Sequence, residues 1–333
     1  MPSDSPERAR PLIALLGASG FVGSWVLREL SARPVRLRAV ARRPVRLPSG
    51  PAHVESRSLD LTAPGAVAEA VAGADVVISL VIHSGGWRAA EHDPAARAVN
   101  EGVMASVLAS LRDRPGGRAA PVVVYAGAAS QLGVPPREPI GGGEPDHPET
   151  AYDRQKLAAE RLLLDATREG AVRGVALRLP TVFGESAAPG ADDRGVVSFM
   201  ARRALAGQRL TMWHDGTVTR DLVHAEDIAR AFASAIDHPD ALSGAHWPLG
   251  AGRGDRLGDV FRTIARLAAG HRGGPPVPVV PVEPPAGAPA TDFHGVTIDA
   301  TRFRTATGWS PRIPLPDALA RTVAGHATAE KGS

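Results

Sequence analysis

Five apolar residues, Leu12 to Leu16, run directly into Gly17-Ala18-Ser19-Gly20-Phe21-Val22-Gly23, and an apolar, helix-permissive stretch continues to Leu30. That order predicts strand, glycine turn, helix. Glycines three apart narrow what the turn can be. The first allows a tight turn, the second lets backbone amides approach a pyrophosphate, and the third lets the helix lie close on the strand. A helix opened this way gathers free amides and the positive end of its dipole, which favours phosphate. Gly17, Ser19, Gly20, Phe21, Val22 and Gly23 are therefore expected around a dinucleotide. In a chain with 36 glycines the competing reading is a purely structural turn. The flanking strand and helix are what favour the phosphate.

The rest of the chain repeats the alternation. Strands are predicted at Val35–Ala41, Val54–Leu59, Asp75–Ile82, Pro121–Ala126 and Val172–Leu179, with helices at Ala66–Val71, Ala95–Leu111 and Thr150–Thr167 between them. Alternating strands and helices imply an α/β fold, a doubly wound parallel sheet covered on both faces. Beyond Pro180 glycine, proline and charge increase. Helices are expected at Val196–Ala206, Ala225–Asp237 and Leu257–Ala269, and a loop or extended arm at Pro275–Pro289. A closing helix is expected over Ser310–Gly325, with fraying from about Thr328. With 44% hydrophobic residues in 333, a large core can be buried.

No run of about 18 uncharged apolar residues occurs, and Met1 to Arg10 lacks the apolar stretch of a secretory signal. No membrane association is expected, and a cytoplasmic location is. Cysteine is absent, which excludes disulfides and thiol chemistry. The net charge is +3, with arginines scattered among acids rather than massed together, so no nucleic-acid partner is expected. The 11 histidines lack metal-ligand spacing, so no metal is expected.

The second strand ends in Ala41-Arg42-Arg43 rather than in a carboxylate. An acid there would hold the ribose hydroxyls of NAD, whereas Arg42 and Arg43 can pair with the 2′-phosphate of NADP. Asp60-Leu61 ends the third strand, where the acid can accept from an adenine amino group. Leu80 and Val81, at the end of the fourth, complete the expected cofactor contacts on this edge.

Tyr152 and Lys156 stand four residues apart on a predicted helix, which puts both on one face. A tyrosine titrates near 10, and a neighbouring cation that stabilises tyrosinate brings it toward neutrality. The chain has only two tyrosines and two lysines, so this spacing arises seldom by chance.

The glycine turn, the Tyr-x-x-x-Lys and their separation resemble the extended short-chain dehydrogenases, the sugar-nucleotide epimerase and dehydratase superfamily, over nearly the whole chain. Asn100 in Ala98-Val99-Asn100-Glu101-Gly102 is similar to the family's helix asparagine. Leu179-Pro180-Thr181-Val182-Phe183-Gly184 resembles the segment beside the nicotinamide, which implicates Pro180 and Val182 in cofactor contact and Thr181 in substrate contact. Arg220 to Asp227 and Gly308-Trp309-Ser310-Pro311 resemble two further family elements. The resemblance implies a Rossmann-type NADP-binding domain over 11–180, to which 222–248 returns. It implies a smaller C-terminal sugar-nucleotide-binding domain over 181–221 and 249–327, and a possible homodimer. It also implies that Tyr152 and Lys156 take part in both catalysis and NADP(H) contact.

One family feature is missing. The hydroxyl expected five residues before Gly133 falls at Ala128. Ser130 can replace it as a catalytic and substrate-binding group if the loop is reshaped, or can merely cap that loop. The Asp-Glu pair of the family's dehydratases is absent at Ala129-Ser130, which argues against elimination and for simple carbonyl reduction. His83 and Trp87, after the fourth strand, are expected to line a sugar pocket. Arg220 can clamp a diphosphate or pair with Asp221 or Asp227. Trp213 can stack on the ligand or pack in the core. At finer grain the chain resembles the 4-ketoreductases of antibiotic deoxysugar biosynthesis. That implies NADPH-dependent reduction of a TDP-linked 4-keto-6-deoxyhexose. A sugar-nucleotide epimerase and a non-catalytic NADP-binding sensor are the alternatives.

Overall fold

A computed structural model describes residues 10–112, 119–284 and 288–331. Most of the polar N-terminal segment lies outside them, as does the side chain of Trp87. Six strands follow in chain order: β1 (Leu12–Leu16), β2 (Arg36–Ala41), β3 (His53–Ser58), β4 (Val76–Ser79), β5 (Val122–Ala128) and β6 (Arg173–Leu179). A further strand, Ala245–Pro248, joins from far along the chain. They form one sheet in the order Ala245–Pro248, β6, β5, β4, β1, β2, β3, and every pairing is parallel. This is a Rossmann-type, doubly wound α/β sheet. The chain turns in opposite directions from β1, so a crevice opens between the carboxyl ends of β1 and β4.

The strands read as apolar runs because both faces are covered. In β1, Ile13 and Leu15 join the core on one face with Trp25, Leu27 and Phe232. Leu12, Ala14 and Leu16 join the other with Met104, Leu108 and Tyr125. The two-residue period of the strand splits five consecutive apolar residues between two cores. A third cluster gathers Phe183, Met200, Leu210, Phe261, Ile264 and Leu319. It draws on the helices Val196–Leu205, Leu257–Arg272 and Leu315–Lys331.

Three local expectations give way. The proline-rich arm contains a strand, Val279–Val282, paired in parallel with Leu210–Trp213. Its valines suit a pleated ribbon, and at the edge of a two-stranded ribbon Pro281 is tolerated. The Ala95–Leu111 helix is interrupted by a π-helical turn at Ala98–Gly102. The last helix begins at Leu315 rather than Ser310 and runs to Lys331, past the expected fraying point, in a stretch where Ala324, Ala327 and Ala329 favour helix. Among the described residues no helix is long and apolar enough to cross a membrane.

Candidate active site

A cleft of about 910 Å³ opens over the carboxyl ends of the strands. Its floor at one end is the glycine turn. Gly17 has φ of +89°, and a Cβ there would stand 3.2 Å from the Leu80 carbonyl carbon, so backbone conformation and space both call for glycine beside β4. At Gly23 a Cβ would stand 2.1 Å from the Gly17 carbonyl oxygen. Gly23 is thus packed under the turn, and it does not line the cleft, nor does Val22. Gly17, Ser19, Gly20 and Phe21 do.

Arg42 and Arg43 line the same end, together with Asp60, Leu61, Leu80 and Val81. One Asp60 oxygen accepts from the Thr62 hydroxyl at 2.7 Å and the Thr62 amide at 3.0 Å, and these bonds hold its carboxyl below the usual range. Asn100 sits in the π-helical turn, buried and away from the cleft lining. Its Oδ1 accepts from the His83 amide at 2.9 Å and its Nδ2 donates to Gln155 at 2.8 Å. It therefore ties the loop after β4 to the Ala151–Arg168 helix. His83 lines the cleft. Its Nδ1 accepts from the Gly85 amide at 3.3 Å, which leaves Nε2 to carry the proton toward Asp93 at 3.2 Å.

Thr150 caps the Ala151–Arg168 helix, and its first turn presents Tyr152 to the cleft. Lys156 lies one turn deeper, only 3% exposed and outside the lining. Its Nζ donates to the Ala126 carbonyl at 2.7 Å and stands 5.9 Å from the Tyr152 ring centroid. Burial brings its pKa down to about 8. The Tyr152 phenol is shifted upward, by burial first and then by the Asp153 carboxylate. That is opposite to the depression expected from Lys156. The ammonium is engaged by a backbone carbonyl, while an anion sits next in sequence.

Ser130 lines the cleft, and its hydroxyl donates to Asp153 Oδ1 at 2.6 Å. The other Asp153 oxygen accepts from the Thr150 hydroxyl at 2.6 Å. Behind this loop, Gln131 accepts from the Ala128 amide at 2.6 Å and donates to Glu160 at 3.0 Å. Glu160 also receives Arg178, which holds Asp146 on its other side. Sequence reasoning misses all of these partners of Ser130 and Ala128. The one available signal is Thr150-x-x-Asp153, a helix-start pattern whose acid also reaches across to another loop.

On the far side, Pro180 and Thr181 line the cleft and Val182 does not. Arg220 lines it too, but its guanidinium donates to the carbonyls of Thr219, Thr291, Asp292 and His294. Neither Asp221 nor Asp227 is its partner. Asp221 accepts from the amides of Ala251, Gly252 and Ile298, and Asp227 accepts from those of Arg312 and Ile313. The four carbonyls leave little of the guanidinium fork for a diphosphate. Trp213 stacks on Phe293, with ring centroids 5.9 Å apart, and does not line the cleft. Arg194, unforeseen in the sequence, lines the cleft and donates to the Ser84 carbonyl.

Comparisons with known proteins bear on this arrangement. The model of the NAD dependent epimerase/dehydratase family matches residues 13–250. The chain is 28% identical over 214 residues to a UDP-glucose 4-epimerase of Mycolicibacterium smegmatis, an alignment that spans only 61% of each chain. It is 26% identical over 334 residues, 98% of each chain, to a dTDP-6-deoxy-L-talose 4-dehydrogenase (NAD(P)(+)) of Kitasatospora kifunensis. Among solved structures, MoeE5 in complex with UDP-glucose and NAD superposes with a TM-score of 0.79 at 25% identity, over 97% of this chain and 100% of that one. RMD from Pseudomonas aeruginosa complexed with NADPH shares the fold, with a TM-score of 0.77 at 22% identity over 96% and 99%.

Proposed function

Because the chain belongs to the NAD dependent epimerase/dehydratase family, we propose that it is an NADPH-dependent reductase of the 4-keto group of a TDP-4-keto-6-deoxyhexose. The observation that carries this reading is the end-to-end likeness to the Kitasatospora kifunensis protein, whose name describes dehydrogenation at carbon 4 of a dTDP-6-deoxyhexose with NAD(P). Two arginines at the end of β2, and no carboxylate there, favour a cofactor with a 2′-phosphate.

In this reading residues 11–180 and 222–248 would hold the dinucleotide, with the glycine turn at Gly17 and Gly20 offering backbone amides to its pyrophosphate. Residues 181–221 and 249–327 close over the sugar nucleotide. A nicotinamide held there would supply the hydride. Tyr152, held neutral at physiological pH, carries the proton that the developing alkoxide needs. Lys156 fixes the depth of the helix through Ala126 and stands beside the phenol ring. Leu80, Val81, Pro180 and Thr181 shield the reacting face from water.

A second reading, a sugar-nucleotide 4-epimerase, is favoured by the relatives that carry that name. An epimerase returns the hydride and consumes no cofactor. The deciding experiment is NADPH oxidation with TDP-4-keto-6-deoxyglucose, followed by product analysis. Stoichiometric oxidation with a new hydroxyl at carbon 4 is expected. Interconversion of carbon-4 epimers of a nucleotide sugar with no net oxidation of NADPH would replace the reductase reading with the epimerase one.

A further inference from the structure

The end of β5 and the turn after it present Ala128, Ala129 and Ser130 to the cleft that Tyr152 also lines. A serine hydroxyl has one proton and two lone pairs, and an ionised carboxylate only accepts. The 2.6 Å contact from Ser130 to Asp153 Oδ1 therefore commits the serine's proton. Asp153 is 2% exposed, and its second oxygen accepts from the Thr150 hydroxyl at 2.6 Å. If Ser130 rotated its proton toward a ligand, a buried carboxylate oxygen would lose its donor, which is the costly arrangement for a polar group out of water. Ser130 thus faces the ligand with lone pairs only. Ala128 contributes a methyl group and no side-chain donor.

A carbonyl oxygen or an alkoxide has no proton to give and is repelled by such a face. A sugar hydroxyl is its complement. Resting on the reductase reading above, we propose that the Ser130–Asp153 pair is a specificity element that accepts a hydrogen bond from a substrate hydroxyl on carbon 3, next to the carbon that receives hydride. Ser130 is then not a second donor to the reacting oxygen. Tyr152 serves that oxygen alone, and the serine reads its neighbour. The cleft selects sugars that retain the carbon-3 hydroxyl and discriminates against 3-deoxy sugars.

The test separates recognition from turnover. Calorimetric titrations of the protein with NADP⁺ present use TDP-6-deoxyglucose and its 3-deoxy analogue. Wild type is expected to prefer the hydroxylated sugar by about tenfold, the scale of one well-placed hydrogen bond. Ser130→Ala removes the preference by weakening only the hydroxylated sugar; a preference that survives it overturns the proposal. Asp153→Ala frees the serine's proton and also erodes the preference. Asp153→Asn, whose amide oxygen still accepts from Ser130, retains most of it, a rescue that a merely structural role for Asp153 does not predict. NADPH oxidation with TDP-4-keto-6-deoxyglucose is measured on the same preparations. Oxidation with equal affinities for the two sugars overturns this proposal alone. A tenfold preference without oxidation overturns the reductase reading alone. Binding of neither sugar overturns both.

Discussion

Glu160 is the buried hub behind the cleft, and replacing it should cost more than any surface change. Its Oε2 accepts from Gln131 at 3.0 Å and from Arg178 Nε at 3.0 Å, and its Oε1 accepts from Arg178 Nη2 at 2.6 Å. The side chains of Glu160 and Arg178 are 2% and 4% exposed. Glu160→Ala leaves the guanidinium half-paired in a place water does not reach, and breaking a buried ion pair from one side costs about 3–5 kcal/mol. For a chain of 333 residues the unfolding entropy is about 0.7 kcal/mol per kelvin, so Tm should fall by roughly 4–7 °C. Asp146, the other partner of Arg178, is 17% exposed, and Asp146→Asn should cost less, about 1–2 kcal/mol. Replacing every charge of the cluster at once, Glu160→Met and Arg178→Met with Asp146→Asn, should recover part of the loss, because no charge is then left without its partner. Thermal unfolding followed by the fluorescence of the five tryptophans reads all three. A Tm for Glu160→Ala within about 1 °C of wild type, or a triple variant less stable than the single, would refute the assignment of this cost to an unpaired buried charge.

Three other outcomes follow from the same geometry. Tyr152→Phe should lower kcat at least about 100-fold while leaving NADPH affinity within about twofold, measured by quenching of protein fluorescence; retained turnover would remove the phenol from the proton path. Arg42→Ala combined with Arg43→Ala should raise KM for NADPH about tenfold or more and leave that for NADH nearly unchanged, and an equal rise for both would assign the arginines to general structure. Glu185 gives an acid-sensitive contribution. Burial pushes its carboxyl up, but His224, the Glu185 backbone and Arg321 outweigh this and bring it to about 2. Its contribution, about 2–3 kcal/mol, is present above about pH 4.5 and lost as pH falls toward 2. Glu185→Gln should flatten the stability profile across that acid range, as measured by urea unfolding; an unchanged slope would remove Glu185 as its source.

Local repetition is what sequence reading sees. Gly17, Gly20 and Gly23 announce their turn because the positive φ of Gly17 and the close approach of the other two glycines to its carbonyl lie within seven residues. Tyr152 and Lys156 share a helix face because 3.6 residues per turn puts them there. What escapes depends on partners distant in the chain. The spacing places Lys156 near Tyr152 but does not show that the Ala126 carbonyl accepts from its ammonium, because β5 lies 30 residues away. Ser130 and Asp153 are 23 residues apart, and only the folded loop joins them. Arg220 reads in the sequence as a clamp for a diphosphate or a partner of Asp221 or Asp227, yet the carbonyls of Thr291, Asp292 and His294 take its guanidinium. Val279–Val282 is obscured by prolines, whose usual meaning fails at a ribbon edge.

Asp227 has a further consequence, for the order in which the chain is made. Its carboxylate is fully buried, and the amides of Arg312 and Ile313 that cap it lie 85 and 86 residues downstream, while Trp309 donates to its carbonyl from 82 residues away. All seven sheet strands have been synthesised by Pro248. At roughly 5–20 residues per second, a ribosome needs several more seconds before Ile313 is even joined to the chain. Through that interval the Ala225–Asp237 helix can lay its apolar face on the sheet, but its aspartate lacks those amides and has Arg230 beside it. The nascent sheet is therefore sealed last at a point set by the C-terminal segment. A chain that stops short of Trp309 is left with a complete set of strands and a carboxylate without its capping amides at the seam.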